Sequence, residues 1–307
     1  MVPGLRIPVE ALEDQFAGVV VGRTLILDGD FPAYALAATK KTVPTAIRHF
    51  QQRVLEYMFM AQAQDCSVHL TASDSLKSGR GHVLAAKPYQ GNRKGKAKPA
   101  ILEPLRQALA QEENWLPEFT VTLHREREAD DGMMIEAHAR GNLGVIRSGD
   151  KDLRMTPYPY YEESTGLVLA GAGFGWIDIA HTEGGTVKMT GQGVKFFWGQ
   201  MLTGDTADNV QGIKRYKGAL CGPATGVAAL AGVDDPDECA NIVIDGYRAI
   251  DQNPLPEAML LWILRHEHET VLDYLRTLQF SPANQQFLLD CFHREWYRAT
   301  DPSEYSE

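Results

Sequence analysis

The stretch Val19-Val-Val-Gly-Arg-Thr-Leu-Ile-Leu27 runs straight into Asp28-Gly29-Asp30. Aliphatic and β-branched residues dominate it, which reads as a buried strand ending in a turn. Cys66–Leu70, Phe119–Leu123 and Leu143–Arg147 are similar strand-like runs. Between them lie helical stretches over Pro44–Ala63 and Glu103–Gln111, and a further piece that opens near Asp130. Strands alternating with helices predict an α/β fold, a mainly parallel central sheet with helices on both faces.

Acids follow the strands. Asp28 ends the first run and Asp74 comes shortly after the second. Glu128, Asp130 and Asp131 follow the third, and Asp150 and Asp152 the fourth. Open parallel sheets bind ligands beyond the carboxyl ends of their strands. Four separate stretches are therefore expected to deliver seven carboxylates to one sheet edge.

Each locus has an ordinary reading beside the functional one. Glu128-Ala-Asp130-Asp131 opens a helix whose inner face carries Met134, Ile135 and His138, and acids suit a helix N-terminus. Three crowded acids nonetheless repel unless a cation lies between them. Ser148-Gly149-Asp150-Lys151-Asp152 also reads as a solvated turn. In Thr203-Gly204-Asp205-Thr206-Ala207-Asp208-Asn209, Thr203 is a candidate N-cap and the two acids would share a helix face. The conjunction is more specific than any member. Oxygen ligands suit hard cations such as Mg²⁺ or Mn²⁺, and two such ions can serve an in-line phosphoryl displacement. The sequence has neither a phosphate-binding Walker loop nor a serine nucleophile elbow.

Two basic segments accompany the acids. From Ser75 to Leu102 there are seven Lys/Arg and no Asp or Glu. Within this span the glycine-punctuated interval Lys77–Lys98 reads as an exposed, mobile loop. Its box Lys87-Pro-Tyr89-Gln-Gly-Asn-Arg93-Lys94-Gly-Lys96-Ala-Lys98 offers cations for phosphates and a ring for an unpaired base. The second is Val210-Gln-Gly212-Ile213-Lys214-Arg215-Tyr216-Lys217-Gly218. Between two helices it would turn backbone N–H groups and cations toward phosphates; a plain helical hairpin with solvated lysines is the alternative.

Thr156–Lys188 is rich in Gly, Tyr and Thr and predicts short strands or a hairpin; after Lys195 the chain turns helical, with Glu257–Arg265 and Glu269–Leu278 the clearest cases. The expected division is an α/β core over 1–195 with a basic loop near 75–102, then a helical region over 196–307. The net charge of −10 argues against nucleic acid until the acids are counted as metal ligands, which load to near neutrality. Cys66, Cys221, Cys239 and Cys291 are too scattered for a zinc site or a disulfide framework. No run is long and apolar enough to cross a bilayer, and Met1–Glu10 lacks the layout of an export signal, so the expected location is the cytoplasm.

These motifs, in this order, resemble the 5′-nuclease or flap-endonuclease family and look most like the stand-alone 5′→3′ exonucleases of bacteriophages. The resemblance spans roughly Thr24 to Val227 and fades beyond Gly232. It rests on Leu-Asp28-Gly-Asp, Thr-Ala-Ser-Asp74, the Tyr89–Arg93 box, Glu128-Ala-Asp-Asp, Ser-Gly-Asp150-Lys-Asp152-Leu and Thr-Gly-Asp205-Thr-Ala-Asp208-Asn-Val-Gln-Gly-Ile. It implies two neighbouring Mg²⁺ or Mn²⁺ sites, some acids acting through water. Asp28, Asp74, Glu128, Asp130 and Asp131 would surround one, and Asp150, Asp152, Asp205 and Asp208 the other. It further implies a helical arch built from the basic loop. Arg93 and Lys94 would bind the scissile phosphate, Tyr89 would stack on a frayed base, and Lys87, Lys96 and Lys98 would line the DNA path. A helix–hairpin–helix-type element near 203–229, with Gly212, Ile213, Lys214 and Lys217, would grip duplex DNA, with K⁺ on its turn carbonyls. The implied activity is hydrolysis leaving 5′-phosphates on 5′ ends, flaps, forks and RNA primers paired to DNA. The sequence departs from the family at Gln90, where Lys is usual; Lys87, Arg93 and Lys94 are the candidate replacements. A PIN-type ribonuclease and a non-catalytic binder of forked DNA are the competing readings.

Overall fold

The computed structural model describes residues 18–182 and 184–297; Met1–Glu10, read above for an export signal, lies outside them. Its main sheet has six strands: β1 (Val20–Asp28), β2 (Ala63–Thr71), β3 (Phe119–His124), β4 (Gly144–Arg147), β5 (Tyr160–Glu162) and β6 (Leu167–Leu169), in the order β3-β2-β1-β4-β5-β6. The first five run parallel and β6 is antiparallel to β5. β1 lies inside the sheet because both of its faces are apolar. Leu25 and Leu27 point into one core, Ile26 into the other, and all three are fully buried.

Helices α1 (Asp30–Thr39), α2 (Val43–Ala61) and α3 (Leu102–Leu109) cover the Leu25/Leu27 face. In α2 the buried Ile47, Phe50, Val54, Tyr57, Met58 and Ala61 recur at helical spacing. It ends two residues earlier than the sequence suggests, where Gln62 turns left-handed at φ 56° and Ala63 opens β2. The other face takes α4 (Ala129–Arg140) and α5 (Val194–Thr203). There Ile26, Met133 and Ile146 share one apolar core with Phe196, Phe197, Trp198 and Met201. That core continues, with no break at residue 195, into α6 (Pro223–Ala229), α7 (Pro236–Ala249), α8 (Leu255–Leu261), α9 (Val271–Arg276) and α10 (Pro282–Phe292) through residues such as Leu230, Tyr247 and Tyr274. The Gly/Tyr/Thr-rich region forms β5, β6 and a separate hairpin of β7 (Trp176–His181) and β8 (Val187–Gln192).

Two local expectations are corrected. The basic span 75–102 forms no helical arch: it carries two short 3₁₀ turns, Lys77–His82 and Gly91–Arg93, before α3 begins at Leu102. Ser78 and Gly79 have positive φ and break any longer helix. The acids of Thr203–Asn209 sit on no helix either. α5 ends at Thr203, whose hydroxyl bonds back to the Gly199 carbonyl at 3.1 Å. Gly204 then takes φ +73°, where a Cβ would come 2.4 Å from the Gln211 carbonyl oxygen, so only glycine fits. Paired backbone bonds between Asp205 and Val210, 2.9 and 2.7 Å, close a tight turn instead. No helix among the described residues is long and apolar enough to cross a membrane.

The strand order reverses between β1 and β4: the chain builds outward through β2 and β3, then returns to the other side of β1. Crevices at such reversals are where open α/β sheets bind ligands. Asp28 ends β1 and Ser148 follows β4, and the Ser148 hydroxyl donates to Asp28 Oδ2 across that gap at 2.7 Å.

Candidate metal centre and nucleic-acid interface

Asp28 is held in place by its own turn. Its Oδ1 accepts the Asp30 N–H at 2.9 Å, and it is only 7% exposed. Gly29 is required here because a Cβ would lie 2.7 Å from Val68 and 2.9 Å from the His69 carbonyl. Burial first, and then Asp30, raise the Asp28 carboxyl above the usual range.

The N-terminus of α4 sends its neighbouring acids in different directions. Glu128 caps the helix in a reciprocal box with Asp131. Asp130 points to the crevice, where burial and then the charges of Asp150, Asp28 and Glu128 push its carboxyl well up. Asp131 turns inward and is fully buried. Both its oxygens are taken: Arg80 donates two bonds of 2.7 and 2.8 Å, Ser78 one of 2.7 Å and the Leu264 N–H one of 3.0 Å. Burial alone would raise Asp131, but Arg80 outweighs it and holds the carboxyl low. The capping reading and the crevice reading of this motif thus describe different acids.

Asp150 opens a 3₁₀ turn over Lys151–Met155 and accepts the Asp152 N–H at 2.9 Å. Asp152 lies near the Asp205–Val210 turn, and one carboxylate oxygen from each of Asp152, Asp205 and Asp208 falls within 4.8 Å of the others. Burial and the neighbouring Asp150 push Asp152 up to about 8. Asp205 goes the other way: burial opposes its charge, but Lys151 more than compensates and lowers it.

The crevice thus gathers Asp28, Glu128, Asp130, Asp150, Asp152, Asp205 and Asp208 from four stretches of chain. Asp74 does not join them. Its side chain is 64% exposed and pairs with Arg125 at 2.7 Å. Asp28, Asp130, Asp150 and Asp152, raised first by burial and then by neighbouring acids, are what a cation-binding site looks like before its cation arrives. The all-oxygen donor set fits Mg²⁺ or Mn²⁺.

The basic loop folds over this cluster. The Tyr89 hydroxyl donates to Glu128 at 2.6 Å, so its ring is half-buried with its polar end among the acids. Gln90 bridges Glu128 and Asp208 at 3.1 and 3.0 Å. Arg93 meets Asp208 at 2.6 Å. Lys77, which the sequence reading did not single out, bonds Gln90 and lies 3.7 Å from Glu128, placing an ammonium beside Gln90. Lys87, Lys94, Lys96 and Lys98 stay exposed. Sequence reasoning also missed Lys151, although its place between two acids is a signal in itself, and Arg80.

The second basic segment lies between α5 and α6. Ile213 is buried, and Lys214 and Lys217 are exposed. The Gly212 N–H donates to Glu257 at 2.9 Å and its carbonyl accepts from Gln252 at 3.0 Å. The Gly218 carbonyl accepts from Arg215 at 3.3 Å, so two carbonyls of the proposed K⁺ turn already have donors. The buried Glu257 also accepts the Ala86 N–H from the basic loop at 3.1 Å.

No protein-family model and no curated protein sequence matches the chain. Among solved structures it is similar to a bacteriophage T5 protein co-crystallised with metal ions, at 14% identity and a TM-score of 0.49, over 88% of this chain and 98% of that one. It is likewise similar to the T5 5′-exonuclease with bound zinc, at 14% identity and a TM-score of 0.48 over the same shares of each chain. A third is the T5 flap endonuclease in a pseudo-enzyme–product complex with DNA and metal ions, at 13% identity and a TM-score of 0.47, again over 88% and 98%.

Proposed function

We propose that the chain is a divalent-metal-dependent nuclease that hydrolyses DNA phosphodiesters at 5′ ends, flaps and forks. The observation that carries this is the convergence of seven carboxylates at one strand-order reversal, with a cation-rich loop folded over them. Asp28, Glu128, Asp130 and Asp150 would hold one ion, and Asp152, Asp205 and Asp208 a second. When bound, such ions supply Lewis-acid charge and lower the pKa of a water ligand. The chain's own residues do the rest. Ser148 fixes the Asp28 carboxylate, and Tyr89 and Gln90 fix Glu128 and Asp208. Lys77 and Arg93 stand at the loop side of the acids, where a phosphate would approach. Exposed Lys94, Lys96 and Lys98 would track the backbone without reading sequence, and Lys214 and Lys217 would hold the duplex.

The test is cleavage of a 5′-labelled forked duplex in Mg²⁺, Mn²⁺ or EDTA by the wild type, Asp130→Ala and Asp150→Ala. Metal-dependent release of short 5′ products is expected, lost in both variants while fork binding persists. Fork binding without cleavage in any divalent ion would leave a structure-specific DNA-binding protein, and cleavage confined to RNA would favour the PIN-type reading.

A further inference from the structure

All three carboxylates of the Asp152–Asp205–Asp208 group are already engaged by the chain itself. The Lys151 ammonium lies 2.8 Å from Asp152 Oδ1 and 2.9 Å from Asp205 Oδ2, bridging two of the three. Its remaining face looks onto the Phe196 ring at 5.6 Å. Asp205 is almost fully buried and Asp152 largely so, while Lys151 keeps 44% of its side chain exposed. The acids are fixed: Gln200 bonds Asp152 at 2.7 Å and the Ala207 N–H bonds Asp205 at 2.9 Å. The ammonium sits on a flexible four-carbon stem with open solvent beside it.

From this we infer that Lys151 is a built-in stand-in cation: it occupies the bridging position between Asp152 and Asp205, and a divalent ion must displace it to bind there. The inference rests on the nuclease reading and deepens it. A divalent ion held by these carboxylates competes with the ammonium for Asp152 Oδ1 and Asp205 Oδ2, and two cations this close repel. The exchange has two consequences. Binding at this position is weakened relative to the Asp28–Asp130–Asp150 position, where among the described residues no lysine bridges the acids. The freed ammonium then stands at the crevice mouth as an extra phosphate-binding cation, present only when the metal is. By reciprocity, whatever the lysine costs the ion, the ion costs the lysine's pairing.

Two measurements on the full chain test this. The first is calorimetric titration of Ca²⁺ into wild type, Lys151→Met and Lys151→Arg. Wild type should show a tighter and a weaker step. Lys151→Met should tighten the weaker step by about tenfold, within the usual range of coupled binding equilibria, and Lys151→Arg should not tighten it. The second needs no variant: amine acylation at Lys151 in wild type, read by mass spectrometry, should increase when saturating Ca²⁺ is added. An unchanged or weaker second step in Lys151→Met, or labelling indifferent to Ca²⁺, overturns the inference and leaves the nuclease reading standing. A wild type that binds no Ca²⁺ at all overturns both.

Discussion

Asp130 and Asp131 are chain neighbours with the same side chain, and the structure assigns them opposite energetic signs in the metal-free protein. Asp131→Asn removes the countercharge of Arg80, a guanidinium only 4% exposed. Breaking a buried ion pair by removing one partner costs about 3–5 kcal/mol. Glu128 remains 3.2 Å from the same guanidinium, which places the expected loss at the lower end, about 3 kcal/mol. Asp130→Asn removes one of several mutually repelling carboxyls. Because the folded state raises this group, neutralising it should leave stability unchanged or improve it by about 1 kcal/mol. Urea unfolding in EDTA near neutral pH, followed by far-UV circular dichroism, gives both midpoints. Adding Ca²⁺ should then stabilise wild type and Asp131→Asn but do much less for Asp130→Asn. The reasoning fails if Asp131→Asn unfolds at the wild-type midpoint yet loses Ca²⁺ binding, since Asp131 would then be a ligand and not a support.

Titration of Asp152 gives a second prediction. With its carboxyl near 8 in the folded state against a usual 3.8, the metal-free protein holds a proton there at neutral pH. Its contribution to stability is full below about 3.8 and is lost as pH rises through about 8. Divalent binding must expel that proton, so affinity should climb with pH and level off above about 8; titration in buffers of different ionisation heat reads the proton directly, and a buffer-independent heat would contradict it. Gly132→Ala places a Cβ 2.3 Å from His124 Nε2 and 2.8 Å from His69 Nδ1, two ring nitrogens hydrogen-bonded to each other at 2.8 Å, with an overpacking cost of about 1–3 kcal/mol; a melting temperature equal to wild type would mean these histidines move aside freely. Replacing Lys94, Lys96 and Lys98 together with Ala should reduce the salt dependence of duplex binding by a slope of roughly 2–3 while leaving the divalent requirement intact, and an unaltered slope would take the loop off the DNA path.

The strands and their terminal acids were legible because both signals are local: an apolar run, then a carboxylate where the run stops. Their meeting at one edge followed from the parallel topology. What a local signal cannot carry is direction. On the first turn of α4 the helical repeat separates two adjacent acids, sending Asp131 down onto Arg80 and Asp130 toward Asp150. Asp74 shows the same limit, since the turn after β2 leaves it facing solvent and Arg125. The basic loop has no periodicity to read, and its path is set by bonds to acids far along the chain, Tyr89 to Glu128 and Arg93 to Asp208. The absent lysine at Gln90 was visible as a departure, but Lys77, which lies beside it, comes from outside the box that the sequence singled out. Thr203 is no N-cap: it is the last residue of α5, and Gly204 stops that element where the sequence suggested that Thr203 opens another.

Glu257 joins two segments that the sequence separates by more than a hundred residues. One carboxylate takes the Ala86 N–H of the basic loop and the Gly212 N–H of the inter-helix turn. On the proposed reading the first segment sits over the cut and the second over the duplex. A single side chain then acts as a ruler between blade and handle. On that reading the spacing between cut and duplex grip would depend on a residue that belongs to neither segment.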